Sequence, residues 1–259
     1  MQIGLQMYTL HDFTKTREGY TDTVRRVSEL GFRSVQATKP AFFTDEEFSA
    51  LLRANGLQAD SLLVREGQIL GNEKTLCERA KLYGVTAARI DGIPQPLRTS
   101  VDGYKKYAEM LNAEGKACRE CGLKLMIHNH VYEWQKFGGK AGFQILVEES
   151  DPEYVWFQPD VYWIAAAGYE PSETLRIFAG RTFSIHVDDY AIQPREVYER
   201  VPMTCVPVGE GNMNYKGIIA TAQEIGVERV VIEQEATDGD IFADLGVNIR
   251  NLSALGCVL

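Results

Sequence analysis

The sequence predicts an α/β protein folded as a single-domain (β/α)8 barrel. Short apolar segments alternate with helix-like segments along all 259 residues, and eight such pairs can be placed. A barrel of this kind needs roughly 250 residues. The apolar segments show little polar alternation, which is typical of parallel strands buried on both faces. No linker interrupts the pattern, so one domain over residues 1–259 is expected.

The predicted elements follow one another in regular order. Glycine closes several helices before the next strand, as in ELGF and ANGL, and Thr44 and Ser100 are candidate N-caps. Strands are expected at Ile3–Tyr8, Ser34–Ala37, Ala59–Val64, Ala87–Ile90, Leu123–Ile127, Val155–Gln158, Phe183–His186 and Val230–Glu233. Helices are expected at Tyr20–Leu30, Asp45–Asn55, Glu73–Tyr83, Val101–Cys121, Ala141–Glu149, Ser172–Ala179, Tyr215–Ile225 and near Phe242–Leu252.

An open doubly wound sheet is the alternative architecture. It predicts a GxGxxG phosphate loop after a strand, and the glycine-rich GEGN at Gly209–Asn212 lacks that spacing. The longest predicted loop runs over residues 190–214, a length typical of a lid or a binding segment. The barrel therefore remains the preferred fold.

Composition and charge narrow the classes of function. The chain is 45% hydrophobic and 24% charged, with a net charge of −9. Such a charge repels nucleic acid and anionic membrane, and no apolar run approaches the roughly 20 residues needed to span a bilayer. The start, MQIGLQMYTLHD, is interpreted as a strand and not as a signal peptide. We expect a cytoplasmic protein with a small-molecule partner, and association into a homo-oligomer stays open.

The five cysteines are expected to be reduced, because an odd number without a signal peptide indicates free thiols. Cys118 and Cys121 form a CxxC motif. It falls at the end of a predicted helix, whereas helix N-termini favour thiolates. No second CxxC completes a zinc site, so ordinary packing is expected.

Acidic and imidazole residues follow the last four predicted strands. They are Glu133, Asp160, His186 and Glu233. The C-terminal ends of the strands in a parallel barrel lie together, so residues distant in sequence can converge there. Three carboxylates and one imidazole suit a hard or borderline divalent cation. The sequence therefore predicts a metal site at this end of the barrel.

Further polar and aromatic residues surround these positions. His128 and His130 point to the same side of a strand end, where they either cap it or exchange protons beside the metal. Trp163 either packs in the core or presents its ring to sugar C–H groups. Gln6 and Tyr8 belong to the first strand and would line the rim of the site as substrate-binding residues.

The segments HNHVYEW, PDVYWIAAAG, FSIHVDDY, PVGEGNMNY and VVIEQE resemble, in this order, the xylose isomerase-like sugar phosphate isomerase/epimerase superfamily. GLQMYTLHD resembles its first strand, so the likeness extends over the chain. The resemblance implies a TIM barrel and one divalent ion, with Mn²⁺ preferred and Mg²⁺, Co²⁺ or Zn²⁺ as alternatives. It implies as ligands Glu133, Asp160, His186 and Glu233. The HNHxxE and DxxW forms resemble most the branch of inosose dehydratases, keto-sugar epimerases and 3-keto-glycoside enzymes.

One departure from the family concerns the substrate. In HVDDY, Asp188 stands where many relatives have lysine. If the Asp188 side chain faces the site, the change from positive to negative charge disfavours a phosphorylated substrate at this point.

The implied reaction starts with removal of a proton next to the carbonyl of a sugar or keto-sugar. We expect Glu133 and Glu233 to act as ligands and proton carriers, with His128 as an auxiliary acid or base and His130 as a second candidate. Return of the proton gives an epimer or an isomer, whereas loss of a β-substituent gives elimination. A sugar isomerase or epimerase is therefore expected, with a lyase as the nearest alternative.

Two other classes fit less well. An apurinic endonuclease of this barrel type needs several metals, and therefore many histidine ligands, together with a basic DNA-binding face. The four histidines and the net charge of −9 argue against this class. A non-catalytic sugar-binding barrel would lose ligands, and this chain keeps all four.

Overall fold

The computed structural model describes residues 1–192 and 203–259. Its strands are β1 Gln2–Gln6, β2 Ser34–Gln36, β3 Gln58–Ala59, β4 Leu62–Leu63, β5 Ala87–Asp91, β6 Lys124–His128, β7 Lys136–Phe137, β8 Lys140–Ala141, β9 Val155–Gln158, β10 Ser184–Val187, β11 Asp189–Ile192, β12 Met203–Val206 and β13 Arg229–Ile232. Its α-helices are α1 Arg17–Glu29, α2 Asp45–Ala54, α3 Glu73–Tyr83, α4 Val101–Glu120, α5 Gly142–Glu149, α6 Val161–Ala166, α7 Pro171–Thr174, α8 Tyr215–Glu224 and α9 Ile241–Ala254.

The strands form a closed parallel barrel. One sheet has the order β10-β13-β1-β2-β3 and the other β4-β5-β6-β9. They meet through a parallel bridge between Asp160 and His186, where the His186 amide donates to the Pro159 carbonyl at 2.9 Å. On the other side β3 and β4 are two halves of one strand. The predicted (β/α)8 fold class is therefore confirmed.

The predicted strand Ala59–Val64 is broken at residues 60–61. The Asp60 amide still donates to the Val35 carbonyl at 2.8 Å, while the Val64 amide donates to the Arg89 carbonyl at 2.9 Å. The strand thus changes partner at this point. The buried Asp60 carboxylate forms an ion pair with Arg229, which stabilises the break.

Most predicted helices begin and end where their caps indicated. The capping box of Thr44 and Glu47 opens α2, and Gly84 ends α3 in the left-handed region with φ of 69°. The predicted helix Ser172–Ala179 is instead the short α7 followed by a 3-10 turn at Leu175–Phe178. The predicted first strand also ends early, since a 3-10 turn occupies Met7–Phe13.

Additional elements extend the C-terminal face of the barrel. Helix α6 was not predicted and follows Asp160 directly. The predicted long loop contains the antiparallel hairpin of β11 and β12, and its middle, residues 193–202, lies outside the described residues. These elements border the end of the barrel where the predicted ligands were expected.

The expectation of uniformly reduced cysteines was wrong. Cys77, in the middle of α3, and Cys121, which directly follows α4, form a disulfide, and their Cα atoms lie 4.9 Å apart. Cys118 is free and buried, so the two cysteines of the CxxC motif are not paired with each other.

No helix within residues 1–192 and 203–259 combines the length and the apolar character needed to cross a bilayer.

Candidate metal centre

Buried polar side chains converge at the C-terminal mouth of the barrel. One nitrogen or oxygen atom from each of four residues lies within 4.8 Å of the others. The residues come from the ends of neighbouring strands, which the parallel barrel brings together. We call this set the four-residue group; it comprises His128, Asp160, His186 and Glu233.

The local backbone fixes the orientation of Asp160. Its Oδ1 accepts from the amides of Tyr162 at 2.8 Å and Trp163 at 3.1 Å, which caps α6. Its own amide donates to Asn129 Oδ1 at 3.0 Å. The remaining oxygen, Oδ2, lies 3.9 Å from His186 Nδ1. The helix cap therefore uses one carboxylate oxygen and leaves the other for the group.

A chain of hydrogen bonds sets the tautomer of His186. Gln36 Nε2 donates to Asp60 Oδ2 at 2.6 Å, so Gln36 Oε1 is the acceptor facing His186 Nε2 at 2.7 Å. The ring proton therefore sits on Nε2. His186 Nδ1 then carries a lone pair directed at the four-residue group, as a metal-ligating imidazole does.

The donor atoms of the group fit a divalent cation. His186 Nδ1 contacts Glu233 Oε2, and both atoms are buried without a hydrogen-bond partner among the described residues. His128 Nε2 lies 3.8 Å from the same Glu233 oxygen. Buried lone pairs without a donor are unfavourable, and a cation would satisfy them together. Two imidazoles and two carboxylates suit a hard or borderline divalent ion such as Mn²⁺, Co²⁺ or Zn²⁺.

Burial also shapes the protonation of these groups. It lowers the pKa of His186 to about 3 and raises the pKa of Glu233 to about 8. It raises the pKa of Asp160 as well, and the negative charge of Glu233 adds to that shift. Two carboxylates in this setting need a nearby positive charge to stay ionised at neutral pH, which a bound cation supplies.

Glu133 lies apart from the other three predicted ligands. Its Oε1 accepts from the Ile93 amide at 3.0 Å and its Oε2 from the His130 amide at 2.8 Å. A Cβ at Gly92 would lie 2.6 Å from Oε1, so glycine is needed there. Burial raises the pKa of Glu133 to about 7. The Glu133 carboxylate connects the loop after β5 to the turn at Val131–Trp134. In the four-residue group, His128 occupies the place that was predicted for Glu133.

A cavity of about 270 Å³ opens beside the four-residue group. It contains five of the residues predicted for the site, including Gln6 and Tyr8 from the start of the chain. Of these two, Gln6 is buried and Tyr8 is 56% exposed. The lining residues are Gln6, Tyr8, Thr38, Leu63, Arg89, Asp91, His128, His130, Glu233 and Glu235.

His130 and Trp163 lie on one side of this mouth. His130 Nδ1 is 3.0 Å from the Tyr132 hydroxyl, and its ring centre is 6.1 Å from that of Trp163. Burial lowers the pKa of His130, which favours a neutral imidazole. Trp163 is half-buried in the first turn of α6 and is not among the residues that line the cavity.

Several site residues were missed in the sequence. Gln36 ends β2, and Arg89 and Asp91 lie two apart in the otherwise apolar strand segment AARID. A charged pair with this spacing inside a buried strand points to one side of the sheet. This spacing is the sequence signal that indicates a polar site here. Glu235 lies two residues beyond Glu233, with the same spacing.

The glycine-rich GEGN segment has a structural role. The Asp189 carboxylate accepts from the amides of Gly209 at 3.0 Å, Gly211 at 3.2 Å and Met213 at 3.2 Å. The amides that could cradle a phosphate are thus occupied by a side chain. The neighbouring Asp188 is buried, and burial raises its pKa.

Replacing Asp189 with asparagine is expected to destabilise the fold by about 3 kcal/mol, because an amide group would face several backbone donors. Urea unfolding measures the change. Asp240→Asn is the matched control, since Asp240 caps α9 through the single amide of Phe242 and asparagine is an equally good cap. Equal stability of the two variants would contradict the role given to Asp189.

Replacing Gln36 with leucine is expected to weaken binding of a divalent ion by roughly 10–100-fold, the usual effect of losing the group that orients a ligating histidine. Titration of the purified variant with Mn²⁺ measures this. An unchanged affinity would show that the bond between Gln36 and His186 does not orient a ligand.

Comparison with known protein families supports the barrel fold described above. The family described as "Xylose isomerase-like TIM barrel" matches residues 24–248. This chain belongs to that family. No curated protein matched it in a sequence comparison.

Solved structures show the same fold at low sequence identity. A sugar phosphate isomerase/epimerase from Parabacteroides distasonis superposes with a TM-score of 0.79 at 20% identity, covering 97% of each chain. A xylose isomerase-like TIM barrel protein from Mycobacterium smegmatis in complex with magnesium gives 0.72 at 17% identity, covering 98% of this chain and 96% of that one. The probable 3-DHS dehydratase AsbF of Bacillus anthracis gives 0.71 at 14% identity, covering 98% and 99%.

Proposed function

We propose that this protein is a divalent-metal-dependent sugar isomerase or epimerase that removes a proton next to a carbonyl. The observation that carries the proposal is the four-residue group, which borders a polar cavity through His128 and Glu233. Within the described part of the chain, His186 Nδ1 and Glu233 Oε2 have no hydrogen-bond partner. The cavity, at about 270 Å³, has room for a small hydroxylated molecule. The isomerase/epimerase and the magnesium complex among the structural neighbours add support by analogy.

His128, Asp160, His186 and Glu233 would hold the ion, with Mn²⁺ as the first choice for this mixed nitrogen and oxygen set. When bound, a divalent cation supplies Lewis-acid polarisation of a carbonyl and so acidifies the neighbouring C–H. Gln36 keeps His186 Nδ1 free of a proton for this purpose.

The remaining residues bind substrate and move protons. His130 lines the cavity next to the group, so its imidazole is the best placed base for the C–H proton. Gln6 and Tyr8 would contact the hydroxyl groups of the sugar from the opposite side of the barrel mouth. Glu133, for which the sequence predicts a role as metal ligand and proton carrier, would instead hold the His130 backbone in place.

A lyase remains the second candidate. The same proton removal followed by loss of a β-substituent gives elimination, and one structural neighbour is a probable dehydratase. The cytoplasmic location, the homo-oligomer and the absence of a nucleic-acid partner stay predictions of the sequence.

Solvent deuterium exchange tests the proposal. The purified protein, supplied with Mn²⁺, is incubated in D₂O with neutral keto-sugars, inososes and 3-keto-glycosides, and the products are followed by NMR. We expect deuterium next to the carbonyl together with a new stereoisomer or positional isomer. Loss of a β-substituent would assign a lyase instead. No exchange with any compound would favour a sugar-binding barrel without catalysis.

A matched pair of variants makes the result specific. Asp160→Asn is expected to abolish exchange because it removes a carboxylate from the four-residue group. Asp22→Asn makes the same chemical change on the exposed face of α1, where Asp22 pairs with Arg25, and should leave exchange intact. Equal rates in the two variants would contradict the site.

A further inference from the structure

An ion pair between a buried arginine and a partly exposed aspartate, which the proposed reaction does not use, lies in the same cavity. The Arg89 side chain is only 5% exposed, and its Nη1 donates to Asp91 Oδ1 at 2.5 Å. Arg89 Nε is buried and has no hydrogen-bond partner among the described residues. The Asp91 side chain is 40% exposed and, like Arg89, lines the cavity.

The strand register places this pair beside the four-residue group. Asp91 of β5 lies opposite His128 of β6, and Arg89 lies opposite Leu63 of β4. Residues two apart on a strand point to the same side. A donor and an acceptor, side by side, therefore face the space where a substrate would sit next to the ion.

The loop after β5 is held rigidly, which keeps the pair in position. The Tyr107 hydroxyl donates to the Gly92 carbonyl at 2.9 Å, and Glu133 accepts the Ile93 amide at 3.0 Å. Asp91 is thus followed by two anchored residues. A recognition group benefits from this support because little ordering remains to be done on binding.

We infer that the Arg89–Asp91 pair selects substrates by their charge. It binds hydroxyl groups of an uncharged sugar and rejects sugar phosphates and sugar acids. A hydroxyl both donates and accepts, so it matches a guanidinium beside a carboxylate. A phosphate or carboxylate only accepts. It would gain from Arg89 but meet the charges of Asp91 and Glu235, which line the same cavity. The choice of a sugar as ligand rests on the proposed function, whereas the rejection of anions does not.

Binding of sulfate to the purified full-length chain tests the rejection of anions, because removing Asp91 exposes the Arg89 charge. Calorimetric titration is carried out on the wild type, Asp91→Asn, Arg89→Met/Asp91→Asn and the control Asp22→Asn. We expect Asp91→Asn to bind sulfate at least about tenfold more tightly than the wild type, since a like charge is gone. The control should match the wild type, and the double variant should lose the gain.

The outcomes are decisive in either direction. Tight sulfate binding by the wild type, no gain in Asp91→Asn, or a gain that survives loss of Arg89 would overturn the inference. If the double variant does not fold, Arg89→Gln/Asp91→Asn replaces it, and a gain in sulfate binding that survives this loss of the guanidinium charge would likewise overturn the inference. Circular dichroism checks each variant.

The binding of sugar hydroxyl groups by the pair is tested in a separate measurement. If the exchange screen finds a neutral substrate, Asp91→Asn is expected to lower kcat/KM for it about tenfold and to leave metal content unchanged. An unchanged kcat/KM would remove Asp91 from substrate recognition. If the screen finds no exchange while sulfate behaves as expected, the proposed enzyme fails and the anion-rejecting pair stands.

Discussion

Replacing His128 with alanine is expected to remove the divalent ion, whereas replacing Glu133 with glutamine is expected to leave it bound. His128 Nε2 faces Glu233 in the four-residue group, while both Glu133 oxygens accept backbone amides. Loss of a direct ligand should cost more affinity than the roughly 10–100-fold typical of supporting residues. Elemental analysis and Mn²⁺ titration of the purified variants measure the difference.

The effects on stability should be reversed, with Glu133→Gln the more destabilising of the two substitutions. Glutamine at position 133 keeps one acceptor and places an amide group against a backbone N–H, which costs about 1–3 kcal/mol in the free energy of unfolding. His11→Ala is the control for His128→Ala, since His11 is a histidine outside the group. If Glu133→Gln lost the ion and His128→Ala kept it, the ligands implied by the family resemblance would be correct and our assignment of His128 would not.

The fold could be predicted from the sequence because its signals are local. Helix caps such as Thr44 and stops such as Gly84 mark element ends by their own backbone chemistry, and the structure has both where expected. The break at Asp60 could not be predicted in this way. It depends on Arg229, a residue 169 positions away, whose contact with Asp60 exists only once the barrel has closed.

The candidate site was predictable in part for the same reason. Asp160, His186 and Glu233 follow apolar strands, so strand position alone brings them together. Strand position cannot tell whether a carboxylate faces a cavity or the backbone. Glu133 shows the limit: it is the third residue of a turn that begins after His130, where a glutamate reaches back to the preceding amide. The spacing from His130 to Glu133 is the sequence signal of this capping role.

Replacing His130 with glutamine is expected to slow proton exchange by about 10²–10⁴-fold, the usual contribution of a positioned acid or base. The fold and the metal content should not change, because His130 lies outside the four-residue group and glutamine keeps the backbone amide that Glu133 accepts. The measurement is the rate of deuterium uptake next to the carbonyl of whichever keto-sugar the screen identifies.

Tyr132→Phe separates a role in proton transfer from a role in packing. Tyr132 contacts His130 through its hydroxyl and through a stacked ring 5.2 Å away, and phenylalanine keeps the ring. If His130 is the base and Tyr132 only orients it, the rate of deuterium uptake should fall a few-fold in Tyr132→Phe, far less than in His130→Gln. Full exchange in His130→Gln would exclude His130 as the base. Glu235 would then be the next candidate, because it lines the same cavity and is outside the four-residue group.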